Sequence, residues 1–408
     1  MSLRILIVTS NYWPEPTGIA IYSSDLVNTL RSAGYLVEVL TGLPHYPWWH
    51  VPNDYQELGE GQYFFDEVSI VRTRHFIPSK MNAWTRTRFE TSLLWNLNRI
   101  SKQRVENNFD LVLAYVPTLA AGIVGNRIAR KLGIPVGLIV QDLSGAGAKQ
   151  SGIPGGVLIS KIARFVESKT LQEANSLVIV SPAMRDVVVH FGVPKSRVTQ
   201  IPNYSAREIF SIDKNVARSK FGWPLDDFLV IHTGNMGAKQ DLENVVRAAD
   251  ELRAYSKNKI YLVGHGNQES KLKVLCEGKK NISVLPAVPD LDYSALLSAA
   301  DVLLVNERES QIEMSLPSKL TSYLYSERPV LAAVPRGGAT WKFLDGVAEL
   351  VEAGDPIALA RKIEELSKQP EKRECLARRG KYFAQENLNP EAGRRKYLNW
   401  IEGLVKSL

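Results

Sequence analysis

The chain has 408 residues, of which 45% are hydrophobic and 23% are charged, a composition typical of a globular enzyme. Because this length exceeds one ordinary hydrophobic core, two domains of roughly 200 residues are expected. No apolar run reaches the roughly 18 residues that a membrane span needs. Two distant cysteines, Cys276 and Cys375, favour a reducing compartment and argue against a disulfide framework or a metal site. The net charge of +7 suits an anionic partner, which could be a nucleotide, a membrane surface or a nucleic acid.

Short apolar runs alternate with helical patterns along the first half of the chain. Strands are expected at residues 4–8, 36–40, 111–114, 136–140 and 176–180. Both faces of these runs are apolar, as in a parallel sheet covered by helices. The pattern predicts a doubly wound α/β domain.

A second series of the same kind begins after residue 205. Its strands are expected at residues 229–232, 259–263, 282–285, 302–305 and 329–333. The sequence therefore predicts an α/β protein with two doubly wound Rossmann-like domains facing across a cleft, formed by residues 1–205 and 206–390. Residues 391–408 form a last helix, with Trp400 and Leu404 one turn apart.

The most informative motif is the stretch 313–330, a polar turn followed by a short helix and a buried strand. Pro317 suits the first helical turn, and Ser318 and Lys319 lie at the same end. A helix N-terminus with a lysine beside it can hold a phosphate. The alternative is a capped core helix with a surface lysine.

Glycines follow several of the predicted strands, where ligands of doubly wound sheets bind. Gly18 opens a helix after the first strand, and the segment 232–240 combines two glycines with Lys239. Gly264 and Val288 follow the next two strands of the second domain and could meet a ribose or a base. Each of these motifs is a weak indication of a ligand site by itself, but their occurrence in this order at the strand ends of one domain is a specific one.

Taken together, these motifs resemble those of the retaining glycosyltransferases of family 4, which have the GT-B fold. The chain is most similar to enzymes of bacterial polysaccharide clusters, of the colanic-acid and O-antigen type. The resemblance spans nearly the whole chain and is carried by residues 12–19 (YWPEPTGI), 42–47 (GLPHYP), 140–142 (VQD), 234–239 (GNMGAK) and 314–320 (MSLPSKL).

The resemblance implies that the second domain binds a nucleotide sugar, either a UDP-sugar or a GDP-sugar, and that the first domain binds the acceptor. The last helix commonly crosses back onto the first domain, and no metal is expected. The implied donor-binding residues are Gly18, Gly234, Asn235, Gly237, Lys239, Gly264, Val288, Pro317, Ser318, Lys319 and Leu320.

The implied reaction transfers a sugar with retention of the anomeric configuration, so fixed positive groups must stabilise the departing diphosphate. Asp142 is expected to contact the donor sugar or the acceptor, with Gln141 orienting it, and Glu313 is expected near the donor sugar. Asp142 could instead cap a helix or a turn, and Glu313 could lie in a surface loop.

Three departures from the family pattern affect these assignments. The usual pair of glutamates is replaced by Met314 and Ser322, which leaves the ribose contact in doubt. Asn235 replaces an arginine of the phosphate loop, and Gln141 replaces a histidine that usually precedes Asp142.

An aromatic loop after the second strand borders the acceptor side in this fold. His45, Tyr46 and Trp48 are its predicted acceptor-binding residues, although packing within the loop explains them equally well. Relatives suggest a glycan or a polyprenyl-diphosphate-linked acceptor. His232 ends a strand and is interpreted as a core histidine.

The segment 72–104 contains eight Lys or Arg residues and one acid, Glu90. At 100° per residue, one stripe of roughly 80° is apolar and predicted to face the core, and it contains Phe89, Leu93, Leu97 and Ile100. A separate arc of roughly 60° contains Trp84, Arg88, Trp95, Arg99 and Lys102. Tryptophans among cations suit an anionic bilayer, so we expect a cytoplasmic protein on the inner face of the plasma membrane. A solvated basic helix is the alternative.

Two rival functions stay open. A sugar-nucleotide epimerase of similar architecture would release nucleotide without an acceptor, but it would need more carboxylates near the sugar than are visible. A catalytically inert nucleotide-sugar-binding protein would explain the missing glutamates. Nucleic-acid binding is disfavoured because the basic segment carries no recognised motif.

Overall fold

A computed structural model describes residues 2–16, 18–79, 82–104, 108–116, 118–143, 156–205, 208–252, 257–309 and 316–406. The chain divides into two compact units. Unit 1 comprises Met1–Asn203 and Glu391–Leu408, and unit 2 comprises Tyr204–Pro390. The division thus falls two residues before the boundary expected from the sequence.

Unit 1 is built around a sheet of eight strands. The strands are β1 (Arg4–Val8), β2 (Leu36–Gly42), β3 (Gly61–Phe65), β4 (Val68–Thr73), β5 (Leu111–Val116), β6 (Val136–Val140), β7 (Ser176–Ile179) and β8 (Val198–Gln200). Their order is β3-β4-β2-β1-β5-β6-β7-β8, and only the β3–β4 pair is antiparallel. The helices of this part of the chain are α1 (Ile19–Ser32), α2 (Ala83–Arg104), α3 (Leu119–Leu132), α4 (Gly156–Glu173) and α5 (Pro182–His190).

Unit 2 contains a parallel sheet of six strands. They are β9 (Phe228–Thr233), β10 (Asn258–Val263), β11 (Ile282–Leu285), β12 (Val302–Asn306), β13 (Val330–Val334) and β14 (Glu349–Glu352), in the order β11-β10-β9-β12-β13-β14. Its helices are α6 (Lys214–Phe221), α7 (Leu242–Glu251), α8 (Glu269–Cys276), α9 (Tyr293–Ser298), α10 (Lys319–Tyr325), α11 (Ala339–Leu344), α12 (Pro356–Lys368) and α13 (Pro370–Asn387). The predicted α/β class with two parallel-sheet domains is confirmed.

The β3–β4 hairpin has no counterpart in the series of strands predicted from the sequence. Asp66 and Glu67 form its turn, and both have positive φ angles of 47° and 61°. Glycine and asparagine normally mark such turns, so two acidic residues hide the signal. Arg31 contacts both carboxylates, at 2.6 Å and 3.1 Å.

The last helix, α14 (Pro390–Lys406), packs on the sheet of unit 1. Trp400 is 8% exposed, and its indole N–H donates a hydrogen bond to Ser176 Oγ at 2.9 Å. Gly137 of β6 leaves space for this ring and for Leu404, since a Cβ there would lie 2.6 Å from the indole. Arg394 of α14 also binds Asp25 of α1, at 2.6 Å.

Replacing Gly137 with alanine is expected to destabilise unit 1, because the new methyl group would overlap Trp400 and Leu404. Overpacking of this kind costs about 1–3 kcal/mol, so unfolding should begin at lower urea concentration. Gly403→Ala in α14 is the matched control, since nothing lies within 4 Å of its Cβ position. A Gly137→Ala protein as stable as the wild type would contradict the packing described here.

Candidate functional site

Two glycine-containing loops of unit 2 lie against each other at the carboxyl ends of β9 and β10. Gly234 follows β9 with φ of 101°, and Gly264 follows β10 with φ of 151°. A Cβ on Gly264 would lie 1.9 Å from the Gly234 carbonyl oxygen, and a Cβ on Gly266 would lie 2.5 Å from that of Met236. Side chains at these two positions are therefore excluded by backbone contact.

Backbone hydrogen bonds hold the two loops together. The Gly234 amide donates to Val263 at 2.8 Å, and the Met236 amide donates to His265 at 2.8 Å. The Gln268 amide in turn donates to the Met236 carbonyl at 2.9 Å. These hydrogen bonds fix the loop after β9 against the loop after β10.

Lys319 is the first residue of α10 and brings a cation to this loop. Its Nζ lies 2.9 Å from His232 Nε2 and 3.8 Å from the position that a Cβ on Gly234 would occupy. The absence of a side chain at Gly234 leaves open the space beside the amine. The fold thus brings together two regions of the sequence, since residues 232 and 319 are 87 positions apart, and donor binding by Lys319 and the glycines stays a prediction.

The surroundings of Lys319 favour the neutral form of its amine. Burial lowers the pKa of the amine to about 7, while the Glu307 carboxylate acts in the opposite direction. Glu307 is 6% exposed and accepts a hydrogen bond from Thr340 Oγ1 at 2.8 Å. Burial is the main cause that holds the pKa of His232 well below its usual range, and the nearby Lys319 ammonium is the second cause. The histidine is therefore neutral, and loss of the proton from Lys319 is easier than in water.

Three other predicted donor-binding residues lie in the segment that follows β9. Lys239 is exposed, and its carbonyl accepts from the Arg308 amide at 2.9 Å. The Gly237 amide, a predicted phosphate ligand, already donates to Gln240 Oε1 at 3.1 Å. Asn235 is half-buried in the same loop.

Other predicted positions lie at the start of α10 and after β11. Pro317 and Ser318 precede α10, and the Leu320 amide donates to the Pro317 carbonyl at 3.0 Å. Val288 packs against the core of unit 2. Ser322, where the family has a glutamate, is 7% exposed. Glu313 and Met314 lie outside the described residues.

Gln141 and Asp142 follow β6 in unit 1. Gln141 is 7% exposed, and its Oε1 accepts from Asn203 Nδ2 at 2.8 Å. Its Nε2 is buried and has no hydrogen-bond partner among the described residues. Asp142 is partly exposed, and its Oδ1 accepts from the Leu143 amide at 2.8 Å. Both side chains thus lie at the edge of the sheet where the sequence placed them.

Glu15 organises the predicted acceptor loop, and the sequence did not single it out. Its Oε1 accepts from the amides of His45 and Tyr46, at 2.7 Å and 2.9 Å, and its Oε2 accepts from Asn11 Nδ2 at 2.8 Å. Burial raises its pKa, against the lowering effect of His45 and of these hydrogen bonds. The His45 side chain lies 3.3 Å from the same carboxylate and is 2% exposed.

The other residues of this loop are also packed. The Tyr46 ring lies against Gly18, which has φ of 68° and whose Cβ would be 3.1 Å from the ring. Trp48 is half-buried beside Tyr55, with 5.8 Å between ring centroids. Thr17 lies outside the described residues. Acceptor binding by His45, Tyr46 and Trp48 stays a prediction.

Helix α2 has the two faces expected from its sequence. Phe89, Leu93, Leu97 and Ile100 are buried, whereas Trp84 and Trp95 are 73% and 74% exposed.

The cations of the outer face differ in their surroundings. Arg88 lies over the Phe76 ring at 4.1 Å, Arg99 binds Glu60 at 2.6 Å, and Lys102 is exposed. Across the described residues, none of the helices combines the length and the apolar character that a membrane crossing requires.

Comparison with known families identifies the class of protein. The family model described as "Glycosyl transferase 4-like domain" matches residues 17–204, and that described as "Glycosyl transferases group 1" matches residues 213–383. The two matches together span most of the chain. The chain therefore belongs to the glycosyltransferases that these models describe.

Individual relatives agree with this assignment. The chain is 27% identical to WcaI of Escherichia coli (strain K12), named as a colanic acid biosynthesis glycosyl transferase, over 98% of this chain and 100% of that protein. Its structure is similar to sucrose-phosphate synthase from Thermosynechococcus elongatus, with a TM-score of 0.76 and 16% identity over 100% of both chains. HepE of Anabaena in complex with UDP-glucose gives a TM-score of 0.70 and 14% identity over 98% of this chain and 100% of that one. At such identities the structural likeness establishes the fold, which is GT-B.

The protonation of Lys319 predicts a pH dependence of nucleotide binding. A diphosphate beside the amine raises its pKa, so binding takes up a proton when the amine is neutral. Because the free protein has a Lys319 pKa of about 7, UDP affinity should be full below pH 7 and should fall by up to about tenfold per pH unit above it. Calorimetric titration with UDP from pH 6 to pH 9 measures this dependence.

Lys319→Arg is the control for that titration, because arginine stays charged throughout the range. Subtracting its profile also removes the titration of the nucleotide's own phosphate. Parallel profiles for wild type and Lys319→Arg would show that the lysine does not titrate.

Proposed function

We propose that this protein is a retaining glycosyltransferase that moves a sugar from a nucleotide-diphosphate sugar to a hydroxyl group of a glycan acceptor. The observation that carries the proposal is the Lys319 amine, held 2.9 Å from His232 beside the glycine loop that follows β9. A partly buried amine, next to backbone that lacks side chains, suits a diphosphate. The membership in the glycosyltransferase families supports the same assignment.

The chemistry needs positive charge where the diphosphate departs. Lys319 would supply it from unit 2, with the exposed Lys239 of the same loop as a second cation. Fixed charges in an enclosed site stabilise a developing anion more strongly than charges in water do. In this proposal no metal is required, and the donor phosphate assists removal of the acceptor proton on the face that it leaves.

Uracil is the first base to test. HepE, whose fold this chain shares, was solved with UDP-glucose, which supports a UDP-sugar as the first donor for trial. A GDP-sugar is the second. Asp142 and Gln141, at the end of β6, are proposed to contact the transferred sugar or the acceptor.

The acceptor is proposed to be a lipid-linked glycan of a bacterial surface polysaccharide. The likeness to WcaI over nearly the full length supports this role. A polyprenyl-diphosphate anchor would place the reaction at the inner face of the plasma membrane. The exposed tryptophans of α2 supply a surface for such a location.

Replacing Lys319 with methionine is expected to slow transfer strongly while leaving the fold intact, since methionine keeps the unbranched chain and loses only the amine. The loss in kcat should be about 10²-fold or more, as for other fixed groups that stabilise a departing anion. Transfer is measured with UDP-glucose and then with other UDP- and GDP-sugars, using a polyprenyl-diphosphate-linked monosaccharide. NMR of the product gives the anomeric configuration.

The same assay separates the rival functions. Release of UDP with an isomerised sugar and no acceptor would identify an epimerase. Tight binding of nucleotide without turnover of any donor would identify an inert binding protein. An inverted product would overturn the retaining mechanism while leaving the transferase assignment in place.

Peripheral membrane binding is the second part of the proposal. Trp84 and Trp95 carry the apolar contact, and Arg88 and Lys102 lie on the same face of α2. Indole rings at a bilayer interface and cations near anionic lipid both favour binding.

Substituting both tryptophans of α2 with serine is expected to reduce binding to vesicles that contain phosphatidylglycerol by about tenfold, which corresponds to about 1.4 kcal/mol. Sedimentation with these vesicles, and with neutral phosphatidylcholine vesicles, measures the effect. Tyr382→Ser, which removes an aromatic side chain that is 63% exposed in unit 2, is the matched control. Equal sedimentation of the two variants would exclude α2 as the membrane surface.

A further inference from the structure

We propose that His232 is a positioning residue that holds the Lys319 amine beside the glycine loop for the donor diphosphate. The inference rests on the donor-binding role proposed above for Lys319. It gives a function to a residue that the sequence alone assigns to the core.

His232 lies near the end of β9 and has no exposed surface. Both ring nitrogens have polar neighbours. Nδ1 lies 3.1 Å from the Leu304 carbonyl oxygen on the adjacent strand β12, and Nε2 lies 2.9 Å from Lys319 Nζ. The ring therefore links the central strands of the sheet to the first residue of α10.

The proton must lie on Nδ1 for this link to work. The imidazole is neutral because burial and Lys319 hold its pKa low, while the Leu304 and Asn235 carbonyls act in the opposite direction. With the proton on Nδ1, the ring donates to Leu304 and Nε2 accepts from Lys319. With the proton on Nε2, Nδ1 would face the Leu304 carbonyl with two lone pairs opposed, and Lys319 would lose its acceptor.

A lysine needs such a partner because its side chain has four rotatable bonds and a charge without directional preference. Glu307 attracts the ammonium electrostatically, but attraction alone does not fix where the amine lies. The His232 ring is rigid and anchored by Leu304, so its lone pair defines a direction for one N–H bond. A bound diphosphate would accept from an N–H bond that points away from the ring.

His232 is a polar residue in an otherwise apolar part of β9. Leu229, Val230 and Ile231 of the same strand are apolar and fully buried. A polar ring among them costs free energy unless its nitrogens are bonded. The contacts with Leu304 and Lys319 offset that cost.

Two variants separate the two hydrogen bonds of the ring. His232→Asn places an amide where Nδ1 lies and can still donate to Leu304, but it is too short to reach Lys319. His232→Gln reaches the position of Nε2 and can accept from Lys319 through its carbonyl oxygen. The probe is UDP, measured by calorimetry, with His190→Asn, an exposed histidine, as a control for the substitution itself.

We expect His232→Asn to weaken UDP binding by about tenfold or more, as for loss of a hydrogen bond to a charged group, and His232→Gln to retain most of the affinity. In the Lys319→Met background, His232→Asn should have almost no further effect. Equal losses in the Asn and Gln variants, or additive losses with Lys319→Met, would mean that His232 acts only through packing.

The tautomer is measured in the wild-type protein, so this test does not depend on whether a variant folds. Long-range ¹H–¹⁵N NMR of labelled histidine should show His232 neutral with its proton on Nδ1. A proton on Nε2 would overturn the proposal. Wild-type protein that binds none of UDP, GDP and ADP would instead overturn the donor-binding role itself, whatever the tautomer.

Discussion

The close approach of two backbone segments in unit 2 is the constraint on which the candidate site depends. Gly234 and Gly264 lie so near each other that a Cβ at Gly264 would overlap the Gly234 carbonyl. Only glycine permits this contact and the positive φ angles that accompany it. The open surface of Gly234 lies directly beside the amine of Lys319.

The surroundings of Lys319 limit the positive charge that its amine carries. An enclosed ammonium is costly, and burial brings the Lys319 pKa to about 7. Glu307 and His232 compensate in different ways, since one attracts the charge and the other accepts a hydrogen bond. A ligand that carries negative charge would complete the compensation. Burial destabilises the Lys319 ammonium, which makes the proton easier to lose. A bound anion would stabilise the same ammonium, so burial also favours the binding of an anion.

Unit 1 uses a buried acid in a comparable way. Glu15, from the loop after β1, accepts hydrogen bonds from two successive amides of the loop after β2. Those bonds and the nearby His45 offset the cost of burying a carboxyl group. The aromatic loop is thus organised by a residue outside it, and its shape depends on a contact between positions about thirty residues apart.

The sequence by itself predicted most of the strands, because runs such as residues 4–8 and 136–140 are apolar on both faces, although it missed the short strands β8 and β14. It also indicated the glycines and Lys319, because their residue types suit an anion. It missed the β3–β4 hairpin, whose turn has acidic residues in place of glycine or asparagine. Only the tertiary structure decided the polar contacts of His232, Glu307 and Glu15. Their partners lie far along the chain, and a hydrogen bond between distant residues leaves no periodic pattern in the sequence. Whether a polar residue in an apolar run has a hydrogen-bond partner is therefore visible only in the folded structure.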